Sequence, residues 1–139
     1  MNIRVLLVED NPVEARLVRE YLSETGSDYF EVTHAERLEE SLRHINDAEF
    51  DAILLDLGLP DGHGLDALEH VAKACGTPVV ILTGSYDQEL AVRAIRKGAQ
   101  EYLTKDEISG RVLKRTIRHA IERHSASNRG SQSSEKTSG

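Results

Sequence analysis

Residues 51–56 read Asp51-Ala52-Ile53-Leu54-Leu55-Asp56. An apolar run without alternation predicts a strand covered on both faces, as in the interior of a parallel sheet. The acid that closes the run is its informative residue. A carboxylate at the exit of a buried strand is costly unless hydrogen bonds, a metal ion or chemistry occupy it. Other runs end in candidate partners. Val5-Leu6-Leu7-Val8 leads into Glu9 and Asp10, Val79-Val80-Ile81-Leu82 into Thr83, and Glu101-Tyr102-Leu103-Thr104 into Lys105.

Working outward, strand-length apolar runs at 3–8, 29–33, 51–56, 78–82 and 100–103 alternate with helix-period segments at 12–25, 35–46, 65–75, 86–97 and 107–124. That alternation predicts a three-layer α/β fold with right-handed crossovers. Asn11-Pro12 reads as a helix cap followed by proline at the first helical position, with Glu14 placed to complete a capping box. Thr33 with Glu36, and Ser85 with Gln88, repeat the pattern, and Gly26, Gly76 and Gly98 sit where left-handed helix ends are expected. In the last helix Ile108, Val112, Ile117 and Ile121 form the expected apolar stripe, with Arg111, Lys114, Arg115, Arg118 and Arg123 around it. Residues 125–139 hold a single small apolar side chain and read as a disordered Ser-rich tail, leaving 1–124 as one domain.

At 139 residues the chain is long enough for one core. The N-terminus lacks the pattern of a signal peptide, and no apolar stretch approaches the ~20 residues that cross a bilayer, so no membrane insertion is expected. Cys75 stands alone, which excludes an internal disulfide framework and fits a cytoplasmic location. With 17 basic and 24 acidic residues the net charge is −7, which argues against nucleic-acid binding by the surface as a whole. The six histidines show no metal-ligand spacing.

In open parallel sheets, ligands bind beyond the carboxyl ends of the strands. The rule collects Glu9, Asp10, Asp56, Thr83 and Lys105 at one edge. Three neighbouring carboxylates repel unless a hard cation relieves them, and Mg²⁺ suits oxygen ligands. A carboxylate beside such an ion can attack phosphorus, and an ammonium and a hydroxyl can stabilise the transferring group.

Val8-Glu9-Asp10-Asn11, Leu55-Asp56-Leu57-Gly58-Leu59-Pro60-Asp61-Gly62-His63-Gly64, Leu82-Thr83-Gly84 and Tyr102-Leu103-Thr104-Lys105 together resemble the receiver domain of two-component response regulators. The resemblance covers residues 1–124. It implies a flavodoxin-like five-stranded parallel sheet in the order 2-1-3-4-5 with five helices. It implies Asp56 as phosphoacceptor, and Mg²⁺ held by Asp10, Asp56, the Gly58 backbone carbonyl and, through water, Glu9. Thr83 and Lys105 would bind the phosphoryl oxygens, and Thr83 and Tyr102 would form the switch pair. Pro60 and Gly64 match the loop after the acceptor, and Gly84 is the small residue that leaves the phosphate accessible. The implied donor is a phosphohistidine on a sensor histidine kinase or phosphotransfer protein. The implied output is protein–protein contact through the face of the fourth helix, fifth strand and fifth helix, with a homodimer as one form of it. The family's DNA-binding members carry a separate output domain for which this sequence has no room, so no direct nucleic-acid contact is expected. The resemblance implies self-catalysed phosphorylation and dephosphorylation rather than a turnover enzyme.

The sequence departs from the family pattern at Asp106, where proline usually follows the lysine, and at Glu9, where the first acid is usually Asp. A pseudo-receiver that never carries phosphate is the alternative that Asp106 supports. A small metal-dependent phosphohydrolase is a third reading, against which stand Gly58, where that class usually has an acid, and the absence of a cap segment. Asp51 reads as a solvated turn acid, and Asp61 and Asp66 as loop and helix-start residues.

Overall fold

The computed structural model describes residues 2–24, 26, 28–59, 62–84 and 87–138, with side-chain surroundings at all of these but 58–59, 62–63 and 126–138. Among the described residues, seven strands and five helices follow in the order β1 (Asn2–Val8), α1 (Pro12–Ser23), β2 (Tyr29–Ala35), α2 (Leu38–Asp47), β3 (Ala52–Asp56), β4 (Gly58–Leu59), β5 (Gly62–His63), α3 (Gly64–Ala74), β6 (Val79–Thr83), α4 (Gln88–Arg96), β7 (Ala99–Thr104) and α5 (Gly110–Ser138). Five strands form one parallel sheet in the order β2-β1-β3-β6-β7. Counting sheet strands alone, this is the expected 2-1-3-4-5. The short β4 and β5 pair antiparallel as a ribbon after Asp56, a feature the sequence reading leaves as loop.

Successive strand side chains point to opposite faces, and the two cores divide accordingly. Val5, Leu7, Leu54, Val80 and Leu82 meet Ala15, Val18 and Leu22 of α1 and Leu113, Ile117 and Ala120 of α5. Leu6, Val8, Ile53, Leu55, Val79 and Ile81 meet Leu38 of α2, Ala67, Leu68 and Val71 of α3, and Ala94 of α4. The central strands are continuously apolar because both faces are covered, and every side chain from Ala52 to Leu55 is fully buried. Burying each Leu or Ile stabilises the fold by about 1.5–3 kcal/mol before entropy is counted.

Several local expectations change. Asn11 caps α1, accepting from the Val13 and Glu14 N–H groups. Glu14, however, does not close the box: the Asn11 N–H donates to Glu9 Oε2 at 3.3 Å. Thr33 lies inside β2, and α2 begins later, after Arg37, without a side-chain cap. The cap of α4 is Asp87, which accepts from the Leu90 N–H, while Ser85 lies outside the described residues. Of the expected left-handed glycines only Gly98 has positive φ, at 117°; the other is Gly64, at 52°, where the chain leaves the ribbon for α3. Asp51 is exposed and also accepts from the Arg4 N–H at 2.8 Å, joining the amino ends of β1 and β3.

The buried stripe of α5 is Leu113, Ile117 and Ala120, with Ile108 buried just before the helix, rotated from the expected one: Val112 is half-buried and Ile121 packs at the margin. The helix α5 runs on to Ser138, through the stretch that reads in the sequence as a tail.

Candidate functional site

The parallel register brings the strand ends together. Asp56, the last residue of β3, pairs with Leu82 of β6, and Thr83 follows one position on. Thr83 pairs with Thr104, the last residue of β7, and its carbonyl accepts the Lys105 N–H at 2.8 Å. Glu9 follows the last residue of β1, and its N–H donates to Ala35 O at 2.9 Å. Its own carbonyl accepts from His34 Nε2 at 2.7 Å, which fixes the backbone from the β2 side.

Three of the expected side chains meet. Lys105 Nζ lies 2.6 Å from Glu9 Oε1 and 3.5 Å from Asp56 Oδ2. The Glu9 side chain is 2 % exposed, and those of Asp56 and Lys105 are 12 % and 17 % exposed. A fourth group joins them that the sequence assigns only to capping: Glu14 Oε2 pairs with Lys105 Nζ. Glu9, Glu14 and Asp56 offer carboxylate oxygens that all lie within 4.8 Å of one another. The available signal for Glu14 was its place in the first turn of the helix that follows the strand-end acids.

The other expected residues stand around this centre. Asp10 is exposed and outside the three-carboxylate group. Gly58 opens the ribbon after Asp56. Pro60 and Asp61 lie outside the described residues. Tyr102 pairs in register with Ile81 and is half-buried against the core that contains Leu55 and Ile81. A side chain at Gly84 would meet nothing within 4 Å, so the rim there is open. The Lys105–Asp106 peptide bond is trans, as are all others among the described residues.

The electrostatics follow from burial. Loss of water, then a hydrogen bond that the protonated Glu9 donates to Asp56, push the Glu9 carboxyl up from 4.5 to about 8, against the opposing pull of Lys105. Burial by itself would lower the Lys105 ammonium, but the hydrogen bonds it donates to Glu14 and Glu9 and the Asp56 charge hold it above its ordinary value. At neutral pH and without a metal ion, the shift favours the protonated form of Glu9, and Lys105 stays charged. A hard divalent cation fits this donor set: oxygens alone, crowded within 4.8 Å of one another.

The sequence pattern of the response regulator receiver domain matches residues 5–118. Curated relatives include the KDP operon transcriptional regulatory protein KdpE of Escherichia coli, 35 % identical over 122 residues, covering 88 % of this chain and 52 % of that protein. The cell cycle transcriptional regulator CtrA of Caulobacter vibrioides is 36 % identical over 129 residues, with 88 % and 52 % covered. The chain thus spans about half the length of these relatives. Among solved structures, a CheY-like receiver domain protein from Methanospirillum hungatei superposes with a TM-score of 0.78 at 26 % identity, covering 91 % of this chain and 99 % of that one. A response regulator receiver domain from Clostridium thermocellum gives 0.77 at 28 % identity, covering 89 % and 98 %.

Proposed function

The chain belongs to the response regulator receiver domain family, and from that premise we propose that it is a phosphorylation-controlled switch of a two-component system with Asp56 as acceptor. The observation that carries the reading is the Lys105 ammonium 3.5 Å from the Asp56 carboxylate, at the carboxyl ends of two parallel strands. An Asp56 oxygen attacks the phosphorus of a phosphohistidine. The new P–O bond forms as the P–N bond breaks, and the departing imidazole keeps the electron pair and takes up a proton. Lys105 then serves the phosphoryl oxygens, joined by the Thr83 hydroxyl across the β6 end.

Mg²⁺ is the cation this site would take, on Asp56 and the Gly58 carbonyl with Asp10 and Glu9 beside it. When bound it neutralises charge on the carboxylates and the phosphoryl oxygens. Glu9 must give up its proton for this, so metal binding releases a proton below about pH 8.

Asp56 phosphate adds charge at a packed edge, and the switch works by shifting an existing two-state equilibrium through Thr83 and Tyr102. The surface that reads it is α4–β7–α5. Val92 and Ile95 of α4 are 46 % and 48 % exposed, apolar groups available to a downstream protein or a second copy. The donor is a sensor histidine kinase or phosphotransfer protein, and the setting is cytoplasmic. No helix among the described residues is long and apolar enough to cross a membrane. The chain phosphorylates and dephosphorylates itself and turns over no other substrate.

Incubation with acetyl phosphate and Mg²⁺ tests the reading. An acid-stable, base-labile phosphate on the wild type that is absent from Asp56→Asn supports the switch. No phosphate from any small donor would overturn it in favour of a pseudo-receiver that binds partners independently of phosphate. Rapid repeated turnover of donor would point to a hydrolase.

A further inference from the structure

Glu14 reads in the sequence only as a capping-box acid and takes no part in the proposed phosphotransfer, yet its carboxylate is one of two within hydrogen-bond reach of the Lys105 ammonium. The two residues lie 91 positions apart in sequence. Glu14 sits in the first turn of α1, where the Asn11 cap fixes the backbone and the helix N-terminus favours an acid. With 41 % exposure it remains at the rim, while Glu9 grips the same ammonium from below at 2 % exposure. Asp56 is the most distant of the three carboxylates from Lys105 Nζ.

We propose that Glu14 is a positioning residue that holds the Lys105 ammonium at the rim of the resting site and competes with the phosphoryl group for it. The inference rests on Asp56 being the phosphoacceptor. A lysine ammonium has three donors on a flexible stem. In the resting site two of them are committed to Glu9 and Glu14. A cation that took up the Glu9 and Asp56 oxygens would leave Glu14 as the carboxylate still bound to Lys105. For Lys105 to serve a phosphoryl oxygen on Asp56, the Glu14 contact must then loosen. Glu14 thus sets how readily the lysine is delivered. A carboxylate whose role was to cap α1 would turn back to the Asn11 N–H, but that donor goes to Glu9.

Glu14→Gln keeps the shape and helix propensity of the side chain and removes its charge. The first measurement uses neither metal nor phosphate: limited acylation of amines with acetic anhydride, read by mass spectrometry at Lys105 against exposed Lys73. An amine must leave its carboxylates and lose its proton to react, so the variant should raise Lys105 acylation about two- to fivefold, the span of a partly exposed ion pair. Unchanged Lys105 reactivity overturns the proposal. The second is phosphorylation by acetyl phosphate at saturating Mg²⁺, in the native and Lys105→Met backgrounds. Acceleration of about two- to fivefold by Glu14→Gln with Lys105 present, and none with Met there, supports it. Equal acceleration in both backgrounds means that Glu14 acts through its charge alone, and no acceleration in either means that it does not compete; both overturn the proposal. Failure of Asp56 to take phosphate in any variant would sink the receiver reading instead, while the acylation arm would still decide whether Glu14 holds Lys105.

Discussion

Two lysine–glutamate pairs of nearly equal length behave in opposite ways. Lys97 Nζ lies 2.5 Å from Glu69 Oε1 between α3 and the end of α4, with side chains 45 % and 35 % exposed. Lys105 Nζ lies 2.6 Å from Glu9 Oε1 at the strand ends, with side chains 17 % and 2 % exposed. In the first, the hydrogen bond and charge of Lys97 lower the Glu69 carboxyl, the ordinary result for an ion pair. In the second, the carboxyl rises to about 8 despite the lysine, because lost hydration and the neighbouring Asp56 outweigh it. Distance does not separate a surface strut from a reactive centre here. Access to water and the number of acids sharing one cation do.

Removing each lysine tests that contrast most directly. In EDTA at pH 7, Lys105→Met leaves buried Glu9 and Asp56 without their cation and is expected to destabilise the protein by about 2–4 kcal/mol in urea unfolding. Lys97→Met, which exposes its partner to solvent, is expected to leave the urea midpoint unchanged. Comparable losses from both would break the comparison.

The pH dependence sharpens it. The folded Glu9 pKa lies above the unfolded value, so the folded state binds the extra proton between them. Its contribution to stability is complete below pH 4.5 and is lost as pH rises through about 8. Melting temperatures of metal-free wild type and Glu9→Gln, followed from pH 5 to 8.5, should therefore diverge upward, with the variant gaining on the wild type. Parallel curves would mean that Glu9 is ionised in the folded state. Mg²⁺ affinity, measured by calorimetry over the same range, should rise with pH for the same reason.

The smallest effect is expected at the far end of α5. A chain ending at His124 keeps Leu113, Ile117 and Ala120 in the core. Its melting temperature should match the full chain within error, which is how the 1–124 domain boundary is checked; a drop of several degrees would mean that the extension packs.

Much of this molecule could be read from local chemistry. Val5–Val8, Ala52–Leu55 and Val79–Leu82 announced strands covered on both faces. Asn11-Pro12 announced the start of α1, and the acids, Thr83 and Lys105 marked one edge of the sheet. Other signals were ambiguous for identifiable reasons. Thr33 offers the same hydroxyl to a cap or a strand, and pairing with β1 settled it as strand. Glu14 matched a capping box by spacing, but a lysine brought from β7 offered its carboxylate a full charge instead of an N–H.

The sequence by itself therefore determined the order of the elements, which of them are buried, and which chemical groups reach one edge, because period, capping and strand-end chemistry are local properties. Tertiary structure decided which of those groups touch. Glu14 enters the site and Asp10 stands exposed outside it, and burial raises the Glu9 carboxyl above the range of a free glutamate. Those outcomes depend on helix rotation, strand register and the exclusion of water, and no single segment encodes any of them.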